Sequence, residues 1–143
     1  MPSVLEVPWG KPVKPEQVKE ALMKDDYKAV TVTHVETSTG VENSIKEIGE
    51  IVMENSDAFY IVDTVCSLGG MEVRVDEWNI DICASGSQKC IGVPPGLALL
   101  SVSDKVLKYI EKRKTPPKLM VWKLSELASS HESPITIFCN PAS

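Results

Sequence analysis

The sequence predicts an α/β domain built on a mostly parallel sheet covered by helices. Three observations carry that expectation. Short continuous runs rich in Val and Ile recur along the chain, apolar on both alternating faces, as strands covered on both sides are. Segments with helical spacing of apolar residues fall between them. The resulting order of strand, helix, strand, helix, strand is that of a parallel sheet.

From the amino terminus, the first apolar run is Val4–Val7, expected as an opening strand. Pro15 suits the first position of a helix, where its missing N–H costs nothing, and Val18, Ala21 and Leu22 mark one face of that helix. Ala29–Thr33 is the next strand. A helix from Ser44 to Asn55 follows: Val41, Ile45, Ile48 and Val52 recur at spacings of 4, 3 and 4, and Ser44 with Glu47 fits a capping box. Ala58–Val62, Ile80–Ala84 and Leu97–Val102 complete the strands. A last helix begins at Ser103–Asp104 and turns Val106, Leu107 and Ile110 inward. Beyond Thr115 the periodicity is weak. The strand that opens the chain without a covering helix, and this weak tail, make the chain read as a portion of a larger domain.

Composition narrows the function classes. The chain has 143 residues, 43% apolar and 24% charged, as expected for one globular domain. Its formal net charge is -5, and its most basic segment, KYIEKRK at 108–114, follows a helical pattern and is a solvated face, so nucleic acid is not an expected partner. No apolar stretch approaches the ~20 residues that cross a bilayer. The opening MPSVLEVPWG lacks the basic start and apolar core of an export signal, so the expected location is the cytoplasm. Cys66, Cys83, Cys90 and Cys139 match no zinc spacing and are expected as reduced thiols. In His131-Glu132 the following Ser133 and Pro134 break the spacing of a zinc helix, so no metal is expected.

In parallel sheets the chemistry collects beyond the carboxyl ends of the strands. Three polar segments sit there: THVETSTG at 33–40, DTVCSLGG at 63–70 and SGSQKC at 85–90. They are expected to lie together at one edge. Asp63 ends an apolar strand, as a ligand-facing carboxylate or as a cap for the next turn. Lys89 lies in a Gly/Ser-rich loop beside Cys90, Ile91 and Gly92. It is either a desolvated, nucleophilic amine or a surface lysine. His34 has no evident second ligand and reads as structural; Gly69-Gly70 reads as a turn.

THVETSTGV at 33–41, VDTVCSLGG at 62–70 and SGSQKCIGVPPGLA at 85–98, taken jointly, resemble the class V pyridoxal-phosphate (PLP) aminotransferases, of the serine–pyruvate and alanine–glyoxylate kind. The resemblance covers about residues 8 to 115. It implies the large domain of the aspartate aminotransferase-like fold type I, with 1–114 its central part and 115–143 a divergent tail. It implies that Lys89 forms the Schiff base with PLP and moves the α-proton of the substrate. Gln88 matches a contact to the cofactor phosphate, Asp63 the partner of the pyridine nitrogen, Val65 a side chain packed on the ring, and Thr37 a hydroxyl near the phenolic oxygen. A small amino acid such as serine or alanine is the implied donor, and a 2-oxo acid such as glyoxylate or pyruvate the acceptor.

The family's chains are more than twice this length, so truncation at both ends is expected. The Gly/Ser phosphate loop, a ring-stacking aromatic and a substrate-binding arginine would lie outside the sequence. HESPIT at 131–136 is similar to a segment that reaches the phosphate of the neighbouring subunit, though it comes early. A homodimer is implied. Two alternatives go with this reading: a non-catalytic remnant or partial subunit that needs a separately encoded partner, and a PLP-dependent lyase or desulfurase. The desulfurases carry His-Lys where this chain has Gln88-Lys89, and they need a mobile cysteine, for which only Cys139 stands apart.

Overall fold

The computed structural model describes residues 3–114. The expectations on 115–143, including the tail, HESPIT and Cys139, lie outside the described residues. The elements run α1 (Pro15–Leu22), β1 (Ala29–Thr33), α2 (Ile45–Asn55), β2 (Phe59–Asp63), β3 (Ile82–Gly86), β4 (Ala98–Val102) and α3 (Asp104–Glu111). The four strands form one sheet in the order β1-β2-β3-β4. β1, β2 and β3 are parallel, so their carboxyl ends share an edge. β4 runs antiparallel to β3, with Ala98 opposite Gly86 at that same edge. Residues 87–97 are too few for the crossover that a parallel partner needs, and the chain turns back instead.

Register fixes which side chains share a face. Val30 with Tyr60, and Val32 with Val62 and Cys83, face α1 and α2. There Val18 and Leu22 of α1 and Ile45, Ile48 and Val52 of α2 complete the buried core. Tyr60 is buried and its hydroxyl donates to the Ile45 carbonyl at 2.9 Å, pinning the start of α2 over the sheet. Gly49 has a steric role: a Cβ there would lie 2.1 Å from the Trp78 carbonyl oxygen. That bare position lets α2 settle onto the connection between β2 and β3.

The opposite face carries Phe59, Ile61, Ile82, Ala84 and Leu100, all half-buried. α3 reaches it at Phe59, whose ring meets Tyr109 edge-on at 5.0 Å with Lys105 Nζ above it. The strands were expected to be covered on both sides; among the described residues only the α1–α2 side is fully packed.

Three local expectations are corrected. Val4–Val7 forms no strand, since no neighbouring strand among the described residues pairs with it, and Val4 is 79% exposed. Ser44 is the N-cap of α2, but its side chain makes no capping bond. The third strand starts at Ile82 rather than Ile80, because Asp81 is withdrawn into a polar hub: its carboxylate accepts Tyr60 N at 3.0 Å, Ser103 Oγ at 2.8 Å and Lys105 Nζ at 3.1 Å. Ser103 caps α3 as expected, and Val106 is its buried residue.

Candidate active site

The three polar segments meet at the carboxyl edge, held by specific contacts. His34 Nδ1 and Ser67 Oγ are 2.8 Å apart, joining the loop after β1 to the loop after β2. Thr37 Oγ1 and Cys66 Sγ make a second link at 2.9 Å. Cys90 Sγ donates to the Cys66 carbonyl at 2.9 Å, drawing in the turn after β3. Beneath these, Thr64 N and Oγ1 both donate to the Ala84 carbonyl, and Ser85 Oγ donates to the Thr64 carbonyl. Thr64, Ser67, Ser85 and Ser87 are buried, so small hydroxyl side chains form the floor of the edge.

Asp63 closes β2 opposite Ala84, with its side chain exposed above this floor. As the capping reading expects, Oδ1 accepts Val65 N at 2.8 Å and tightens the turn. No lysine or arginine among the described residues pairs with the carboxylate. Val65 follows, half-buried. Lys89 lies in the turn that leaves β3 at this edge, its carbonyl accepting Gly92 N at 2.9 Å. Its side chain is exposed rather than desolvated. Gln88 folds back over Gly86, where a Cβ would stand 2.7 Å from its Oε1. Thr37 is exposed on the first loop and tied to Cys66.

Gly69-Gly70 forms the expected turn, with Gly70 N and Met71 N both donating to the Ser67 carbonyl and Gly69 at φ 90. His34 is structural as read: it is 3% exposed, with Nδ1 at Ser67 and Nε2 at 3.7 Å from Glu42. Burial lowers its pKa, against an opposing pull from Glu42. The pairing of the edge by Cys66 and Cys90 was not legible, because both read as packed thiols. A cavity of about 450 Å³ opens beside His34, lined by Glu42, Lys46, Glu47, Met71 and Trp78 among others; neither Asp63 nor Lys89 reaches it. Among the described residues no cluster of His, Cys, Asp and Glu could hold a metal, and no helix is long and apolar enough to cross a membrane.

The shared edge carries an acid at the end of β2 and an amine in the turn after β3, on the side of the sheet where open α/β folds bind their ligands. The sequence matches the family model described as Aminotransferase class-V over residues 4–134, and the chain belongs to that family, whose members use PLP. It is 61% identical, over 76% of its length, to an uncharacterized aminotransferase of Methanocaldococcus jannaschii, covering 28% of that protein. The structure resembles ureidoglycine-glyoxylate aminotransferase of Bacillus subtilis (TM-score 0.82, 40% identity, 87% of this chain and 32% of that one). It also resembles alanine–glyoxylate aminotransferase of Nostoc sp. (TM-score 0.75, 32% identity, 82% and 30%). The fold is therefore part of the fold type I architecture of PLP-dependent aminotransferases. The chain spans roughly a third of the length of the curated relatives it matches.

Proposed function

We propose that this chain is the central part of a PLP-binding large domain, residues 1–114 forming it and 115–143 a divergent tail. The proposed reaction moves an amino group from a small amino acid such as serine or alanine to a 2-oxo acid such as glyoxylate or pyruvate. Relatives that are glyoxylate transaminases, acting with ureidoglycine, alanine or serine, support the acceptor class. The observation that carries the reading is the Thr37–Cys66–Cys90 chain of contacts, which gathers the loops of Thr37, Asp63 and Lys89 at one edge.

The donor set fits the cofactor. PLP, when bound, supplies an electron sink that lets the α-proton of an amino acid leave. In this reading Asp63, a carboxylate with no cation beside it among the described residues, would hold a proton on the ring nitrogen and so keep that sink charged. Lys89 Nζ would hold the cofactor and would be the base for the α-proton of the substrate. Val65 would hold the ring, Gln88 the phosphate, and Thr37 Oγ1 the phenolic oxygen. The cytoplasm is the proposed compartment and a homodimer the proposed assembly.

A second reading has one observation in its favour: the half-buried sheet face around Ile61, Ile82 and Leu100. There the chain is a partial subunit, and a separately encoded partner covers that face and completes the site. Both readings are tested by adding PLP to the chain, alone and with the remaining segments of a relative's domain, reducing with borohydride and mapping the peptides. A pyridoxyl adduct at Lys89, absent from K89A, is the expected result. An adduct only in the mixture selects the partner reading. No adduct at Lys89 in either sample refutes the assignment.

A further inference from the structure

We propose that Cys66 and Cys90 are an oxidisable pair that closes into a reversible disulfide across two loops of the site. Both are free thiols, Cys90 exposed and Cys66 half-buried. Cys90 Sγ already contacts the residue it would join, donating to the Cys66 carbonyl at 2.9 Å. The two backbones pack closely here as well. A Cβ on Gly70 would lie 3.0 Å from Cys90 Sγ, and one on Gly69 would lie 3.6 Å from the Cys90 carbonyl oxygen. The bare Gly70 is what leaves room for the Cys90 side chain.

The path from Cys66 Cα through its carbonyl oxygen to Cys90 Sγ and Cα caps the Cα separation at about 8 Å when fully extended. Any bend in that path shortens the separation toward the ~4.4–6.8 Å that a disulfide spans. Forming the bond takes the Cys66 side chain away from Thr37 Oγ1, to which it is now linked at 2.9 Å. Cys83 does not compete, being buried under the sheet with its thiol pKa pushed up by that burial.

A peroxide is the oxidant. The Cys90 sulfur attacks one peroxide oxygen, the O–O bond breaks, and a sulfenic acid and one water result. The Cys66 sulfur then attacks the Cys90 sulfur, the S–O bond breaks, and the hydroxyl leaves as a second water. The two thiols lose two electrons and two protons in all, and the peroxide is reduced to two waters. A dithiol reverses the bond by exchange. The consequence for the site rests on the function proposed above. The bond releases Thr37 from Cys66 and ties the turn of Gln88 and Lys89 to the loop that follows Asp63, so the oxidised chain should load cofactor severalfold less.

The chain is treated with hydrogen peroxide without cofactor, alkylated, digested and mapped by mass spectrometry. The expected result is a linked Cys66–Cys90 peptide pair, lighter than the reduced pair by two hydrogens, restored by dithiothreitol and absent from C90S. Full alkylation of both thiols after oxidation overturns the proposal, as does linkage of Cys90 to Cys83 or Cys139, or a bond found only between chains. Since this readout needs no PLP, its failure is distinct from failure of the Lys89 assignment. A linked chain that is labelled at Lys89 as fully as the reduced one overturns the effect on loading.

Discussion

Replacing Gly49 by Ala tests the packing of α2 on the connection between β2 and β3. In an unhindered helix this change stabilises by about 1 kcal/mol, because alanine loses less backbone entropy. Here the added methyl meets the Trp78 carbonyl oxygen at 2.1 Å and Tyr60 Cε1 at 3.1 Å. The first distance is about 1.4 Å inside the ~3.5 Å optimum for non-bonded heavy atoms, and the obstacle is backbone, which cannot swing aside. Overpacking of this severity costs about 3 kcal/mol or more. With the propensity gain set against it, a net loss of roughly 2 kcal/mol remains. Urea denaturation followed by circular dichroism measures it as a lower midpoint at unchanged slope. A G49A chain as stable as the parent, or more so, would refute the close approach of α2 to the β2–β3 connection.

Three further outcomes follow from the same contacts. Asp81→Ala leaves the Tyr60 amide buried without its side-chain acceptor and frees Ser103 and Lys105, costing about 3 kcal/mol in denaturant titration; a loss below about 1 kcal/mol would contradict the hub. Ser103→Ala removes the α3 cap and costs about 1 kcal/mol, but less in the D81A background, because the two side chains share a hydrogen bond; strict additivity in the double-mutant cycle would argue against that coupling. His34 has a folded-state pKa lowered by burial below 6.5, so above that pH both states are neutral and nothing is lost. As the pH falls below about 6.5 the unfolded chain takes up the proton first, and stability declines. Thermal melts between about pH 7 and pH 5 should show this decline flattened in H34Q.

The parts of the fold set by local pattern were legible. β1 falls on Ala29–Thr33 as read, and Ser103 caps α3, since apolar runs and caps are written in adjacent residues. The meeting of three loops was legible too, because a parallel sheet sends strand ends to one edge whatever their sequence. What escaped depended on partners distant in the chain. Asp81 read as the interior of a strand, yet its partners are Tyr60, Ser103 and Lys105. Nothing in the residues around Gly49 marks the Trp78 carbonyl that stands over it. The direction of β4 was set by the length of a loop rather than by the composition of the strand. Val4–Val7 carried the pattern of a strand without a neighbour to pair with. In the site, the types and order of Thr37, Asp63 and Lys89 were readable, whereas the linkage through Cys66 and Cys90 was not, since a thiol in sequence carries no sign of what it touches.

The central claim is that Asp63 and Lys89 serve the two ends of one PLP ring, and a crystal structure of the chain grown with PLP measures it most directly. Continuous density from Lys89 Nζ to the ring, with an Asp63 carboxylate oxygen within hydrogen-bonding distance of the ring nitrogen, is the predicted result. A ring bound in the cavity beside His34, or attached to a different lysine with Asp63 facing solvent, would contradict it.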